Sequence, residues 1–170
     1  RTWRRMRPGG GNAKGSSAER AVARMLSQWW YGSPNYLWRR PGSGFRARMP
    51  QRHTGDIVPI ADSKLPKPWP FHVQVKHWSR SHVKLDTLFT CNNCHPIASV
   101  WTKEDEERRR DLKLMLLIKI DRVGLLCFMR SVDMEFFDGS VTHIRLYIDG
   151  ELIIGLDWRV VARFFWQEEK

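Results

Sequence analysis

Asp56 is followed, beyond a connector rich in proline and lysine, by Gln74-Val75-Lys76. Set on two neighbouring strands, these residue types suit metal-assisted hydrolysis of a phosphodiester. Carboxylate and amide oxygens are the hard ligands that Mg²⁺ accepts, and the ion lowers the pKa of a bound water. An ammonium two residues beyond the second oxygen ligand can position that water or meet the charge that develops on the phosphate. Gly55, directly before Asp56, keeps the backbone there unobstructed.

The elements that must hold these groups are legible from periodicity. Residues 71–76 alternate strictly, with Phe71, Val73 and Val75 on one face and His72, Gln74 and Lys76 on the other, which predicts a strand presenting three polar groups together. Asp56–Ile60 reads as a short strand whose Pro59 places it at an edge or an end, and Tyr36–Trp38 as another. Upstream, Ala18, Val22, Met25/Leu26 and Trp29/Trp30 repeat at helical spacing, with Ser16 and Glu19 in capping-box positions, so a helix is predicted from Ser16 to about Tyr31. Residues 1–14 read as a flexible basic arm. Thr102–Asp111 reads as a solvated helix with acids in its first turn and bases in its last. Leu112–Ile120 and Val123–Met129 read as strands, the first apolar enough for a central position. Thr142–Ile148 and Glu151–Ile154 flank Asp149-Gly150, a strong hairpin signal, and Asp157 would cap a last helix, Trp158–Trp166.

The 170 residues carry 29 Lys+Arg against 18 Asp+Glu, a formal net charge of +11. Residues 1–55 hold 12 basic side chains and one acid, Glu19, whereas the rest of the chain is balanced at 17 of each. The partner class this implies is a nucleic acid or another polyanion, met by the first third of the chain. The longest apolar run, Leu114–Ile118, is far short of a bilayer span, and there is no stretch suited to a secretory signal. Three cysteines do not make a disulfide framework, so an intracellular protein with reduced thiols is expected. Cys91-Asn-Asn-Cys94-His95 formally matches a c-type haem attachment, but in a chain of this composition it reads as loop. A structural zinc at Cys91/Cys94 would need ligands such as His53, His77 or His82, because a second Cys-x-x-Cys is missing.

Asp56 with Gln74-Val75-Lys76 resembles the paired motif of the PD-(D/E)XK nuclease superfamily, which shares the restriction-endonuclease fold. Three more segments follow the order seen in archaeal-type Holliday junction resolvases, which they resemble: Asn12–Arg20, Arg39-Arg40-Pro41-Gly42-Ser43-Gly44 and Gly55-Asp56-Ile57-Val58. The resemblance covers residues 12–78, and 100–130 as a pattern of helix then strands. It implies a single α/β domain over residues 15–170, with a mixed sheet flanked by helices, core motifs in 15–130 and a C-terminal hairpin and helix in 141–168. It further implies Asp56 as the central metal ligand, Gln74 and Glu19 in the metal shell, Lys76 as the catalytic lysine and Ser43 near the scissile phosphate. Lys14, Arg20, Arg39, Arg40, Arg46 and Arg48 would contact DNA. The cofactor would be Mg²⁺, with Mn²⁺ as a substitute. The substrate would be branched DNA, cut by a homodimer, since two symmetric nicks need two sites; the C-terminal hairpin and helix are candidates for its interface.

Gln74 departs from the resolvase pattern, which has glutamate there. Its carbonyl can still ligate Mg²⁺ but removes one negative charge, and Gln-x-Lys is also similar to the Mrr-type modification-dependent restriction nucleases. An active variant, a natural loss of activity and an engineered Glu→Gln change all fit the departure. The accompanying alternatives are a restriction or repair nuclease acting on duplex or modified DNA, and an inactive DNA-binding protein with this fold.

Overall fold

Strand-forming segments dominate the second half of the chain, and they assemble into one sheet. The computed structural model describes residues 10–40, 55–60, 65–79, 96–134, 140, 141 and 143–165, with the side chains of residues 10–14, 164 and 165 outside that description. The strands are β1 (Leu37–Arg39), β2 (Ile57–Pro59), β3 (Phe71–Trp78), β4 (Lys113–Ile120), β5 (Gly124–Arg130), β6 (Ile144–Ile148) and β7 (Glu151–Asp157). They form a seven-stranded sheet in the order β1-β2-β3-β4-β5-β7-β6. β3 and β4 pair in parallel, with Phe71 opposite Lys113 and Trp78 opposite Ile120, and every other neighbouring pair is antiparallel. This is the mixed sheet with flanking helices that the sequence led us to expect.

Each face has its own apolar layer. Helices α1 (Gly10–Tyr31) and α3 (Trp158–Phe165) cover one face, where Val22, Leu26, Trp29, Trp158 and Val161 meet Val73, Val75, Met115 and Leu117. Helix α2 (Pro96–Glu107) covers the other, setting Ile97, Ala98 and Trp101 against Leu114, Leu116 and Ile118. β4 therefore contributes to both layers, and Leu114 to Ile118 are all fully buried. At about 1.5–3 kcal/mol for each such side chain, this strand is the principal apolar contribution to the sheet. α2 is also clamped at its polar end, because Arg130 of β5 reaches Asp105 (2.7 Å) and Glu151 of β7 (2.5 Å).

The Asp149-Gly150 hairpin forms as expected: both residues have positive φ, 51° and 82°, and Ile148 faces Glu151. Asp157 caps α3, accepting the Arg159 N–H at 2.8 Å. Two expectations are corrected. α1 starts at Gly10, not Ser16, and takes in residues 10–14 that composition assigns to an arm. A helix already anchored by Ala18, Val22 and Leu26 extends cheaply upstream, and Ser16, inside it, is not a cap. α2 spans Pro96–Glu107 rather than Thr102–Asp111 and is half-buried rather than solvated. Its start fits proline at a first helical position, and its acids fall in the second half, where Asp105 pairs with Arg108. Trp158 and Val161 of the C-terminal helix pack into the core. The sequence also allows a short helix near residues 83–89, and these lie outside the described residues.

Candidate active site

Asp56 immediately precedes β2 and is tied to β3 by backbone at both ends. Its N–H donates to the Val73 carbonyl (2.7 Å), and its carboxylate Oδ2 accepts the Val75 N–H (2.9 Å). The approach is close enough to dictate the residue before it. Gly55 has φ +101°, and a Cβ there would lie 2.6 Å from the Val73 carbonyl oxygen and 3.0 Å from its nitrogen. Gly55→Ala is therefore expected to cost about 2 kcal/mol or more and to push Asp56 off β3. Thermal denaturation reads the first effect and divalent-cation titration the second.

On β3, Gln74 and Lys76 share the face that alternation assigned to them, and Gln74 is buried. They line, with Asp56 and Glu19, one open cleft of about 430 Å³ at the C-terminal end of β3. Four of the residues singled out from the sequence are thus brought together. Glu19 reaches the cleft from α1, and its Oε2 accepts a hydrogen bond from Arg39 Nε of β1. With Ser16 inside the helix, Glu19 is engaged by Arg39 rather than by a capping box. Arg39 is accordingly held by a carboxylate, whereas the neighbouring Arg40 is exposed and donates its backbone N–H to the Asp56 carbonyl (2.7 Å). Arg20 is exposed on α1, and Lys14 belongs to the same helix. Ser43, Arg46, Arg48 and the Cys91/Cys94 pair lie outside the described residues. The third cysteine, Cys127, is fully buried in β5, and burial pushes its thiol pKa up.

Burial, the leading cause, holds the Asp56 carboxyl above the usual carboxylate range. The Val75 N–H opposes it, the charge of Glu19 reinforces it, Lys76 opposes it, and Glu104 adds a smaller push upward. Glu104 was not singled out in the sequence. It sits on α2, buried, with its carboxylate 3.4 Å from Nε2 of the fully buried His72. The sequence placed His72 on the polar face of β3 but carried no sign that an acid of the following helix would cover it.

Residues 10–158 match the model of a family described as phage putative PDDEXK endonuclease. The chain belongs to that family. Comparisons with curated proteins and with solved structures give no match. The match spans α1 through β7 and includes every residue of the cleft. Membership places the chain among PDDEXK-type nucleases at the level of the superfamily.

Nucleases of this superfamily use divalent metal ions, and the cleft offers the right donors. Among the described residues, no three His, Cys, Asp or Glu side chains converge to hold an ion by themselves. Mg²⁺ does not need such a cage, since it is bound through one or two carboxylates, waters and substrate phosphate. Asp56 and Glu19 supply the carboxylates, Gln74 an amide oxygen. Among the described residues only one Asp56 oxygen is taken by an amide, so the residues present fit a hard cation whose shell would be completed by substrate. Among the described residues, no helix is long and apolar enough to cross a membrane.

Proposed function

We propose that the chain is a Mg²⁺-dependent endonuclease hydrolysing DNA phosphodiesters, with four-way junctions as its substrate. The observation that carries the hydrolytic reading is the convergence of Glu19, Asp56, Gln74 and Lys76 on one cleft in a member of a PDDEXK family. Asp56, Glu19 and Gln74 would hold the cation, which when bound neutralises phosphate charge and acidifies water. Asp56, fixed through Val75, offers a carboxylate whose position does not depend on a side-chain neighbour. Lys76 donates to the phosphate oxygens and to the attacking water, stabilising charge as it develops. Arg39 balances the Glu19 carboxylate and exchanges that partner for phosphate when DNA and cation arrive. Exposed Arg20 and Arg40 extend a basic surface from the cleft along the DNA backbone.

The preference for junctions rests on the ordered motifs from Asn12 to Lys76 and on the Arg39–Gly44 segment between the helix and Asp56. A twofold pair of copies would deliver the two nicks. The test is cleavage of a labelled four-way junction beside a linear duplex of the same sequence in Mg²⁺. Paired symmetric nicks in the junction are expected. Cutting of the duplex alone would assign a restriction or repair nuclease, and binding without cutting an inactive DNA-binding protein. Lys76→Ala should lower cleavage at least about a hundredfold while binding DNA within a few-fold of wild type. Full activity in that variant would remove Lys76 from the site.

A further inference from the structure

The cleft contains a second polar pair that the hydrolytic reading leaves unused. His77 follows Lys76 near the end of β3, and Asp121 opens the turn between β4 and β5. The parallel register sets Trp78 beside Ile120, and the Asp121 N–H donates to the Trp78 carbonyl at 3.2 Å, so the two strand ends are locked side by side. Across that seam His77 Nε2 lies 2.8 Å from Asp121 Oδ1, and both residues line the cleft that holds Asp56 and Lys76. The His77 side chain is 17% exposed and that of Asp121 51%.

A contact whose carboxylate is half-exposed adds little to stability, but it fixes the plane of the imidazole. With Nε2 engaged by the carboxylate, Nδ1 is the ring atom left to meet a ligand in the cleft. An imidazole that gives one N–H to a carboxylate and carries a proton on its other nitrogen calls for an anionic acceptor there. The anion a DNA-cutting cleft admits beside the reacting group is a neighbouring phosphodiester.

We propose that His77 binds, through Nδ1–H, a phosphodiester of the DNA strand adjacent to the scissile one, with Asp121 as the residue that positions its ring. This assignment rests on the nuclease reading above. It explains why a histidine and a half-exposed aspartate are paired at the mouth of a site whose substrate is a polyanion: the aspartate acts on the ring, not on the DNA.

The experiment measures the affinity of the full chain for a fluorescent duplex and a four-way junction by anisotropy, in EDTA so that nothing is cut. Wild type, His77→Ala, His77→Asn, His77→Gln and Asp121→Asn are compared, with the melting temperature of each. Asparagine places its side-chain N–H near the position of Nδ1, and glutamine near that of Nε2. A phosphate contact through Nδ1 predicts Kd weakened about tenfold in His77→Ala and His77→Gln, but by less than about threefold in His77→Asn. Asp121→Asn should fall between, and melting temperatures should stay together. A pair that only fastens β3 to the turn gives the opposite order, with His77→Gln behaving as wild type and His77→Asn losing stability; that order overturns the assignment. Wild type that binds and cuts DNA, with His77→Ala indistinguishable from it, overturns this assignment alone. Wild type that binds no DNA overturns both this assignment and the reading beneath it.

Discussion

Asp56→Asn is expected to reduce cleavage by at least about a hundredfold and, at the same time, to raise the melting temperature of the cation-free protein. The loss follows from removing the charge of the proposed central ligand, whose place no other described side chain takes. The gain follows from burial, which holds the Asp56 carboxyl above its ordinary range. A group whose pKa is raised in the folded state contributes stability below its unfolded value, and that contribution is lost as pH rises through the folded value. Wherever that carboxylate is ionised, its charge is therefore maintained against the fold. Asparagine can still accept the Val75 N–H, so the tie to β3 survives. As pH rises above the ordinary carboxylate range the wild type should lose stability through the Asp56 titration, and the variant should lack that decline. Added Mg²⁺ or Mn²⁺ should raise the melting temperature of wild type by mass action and leave the variant unmoved. A variant less stable than wild type without cation, or one that cuts normally, would remove Asp56 from the centre of the site.

Gln74→Glu is expected to tighten divalent-cation binding by about tenfold and to lower stability without cation. Residue 74 is buried on β3 between His72 and Lys76, in a cleft where the charges of Glu19 and Glu104 already push the Asp56 carboxyl upward. A further carboxylate there adds ligand charge when a cation is bound and like-charge repulsion when none is. Lys76 offsets part of the repulsion. Titration calorimetry with Mn²⁺ reads the affinity, and melting curves with and without cation read the sign reversal. If affinity does not change, Gln74 is not in the shell. If wild type cuts and Gln74→Glu cuts better at low Mg²⁺, the glutamine is a tuned ligand and not a dead one.

The parts of this molecule legible in the sequence are those decided by near neighbours along the chain. Strict alternation set the polar face of β3, positive-φ residues made the Asp149-Gly150 turn, and Asp157 capped the helix after it. Helix limits were harder. The start of α2 was hidden because Pro96 follows a Cys-Asn-Asn-Cys-His stretch that reads as loop, and its buried side, Ile97, Ala98, Trp101 and Glu104, was masked by the charges that follow. The site itself was legible as a set of types, Asp56, Gln74 and Lys76 with Glu19, but not as a set of partners. That Arg39 would hold Glu19, that Glu104 would cover His72 and that Asp121 would meet His77 depends on pairings between distant strands and helices. No local pattern encodes such pairings. The tight contact of Gly55 with Val73 is intermediate: the glycine was visible, the backbone it must clear was not.

The single parallel pairing in the sheet has a consequence for the order of folding. β4 with β5 and β6 with β7 join through turns, so their contacts close locally, while β5 meets β7 across a longer stretch, from Arg130 to Ile153 at its nearest. β3 meets β4 only after residues 79–112 have been spanned, and pairings distant in sequence form late because loop closure comes before their reward. The strand bearing Gln74 and Lys76 is thus added to a sheet partly built, and Asp56, held to β3 by its own N–H and by its carboxylate, is set with it or after it. The cleft is complete only when β3 has joined β4 and α1 has brought Glu19 to it, so the sheet can exist before the candidate site does.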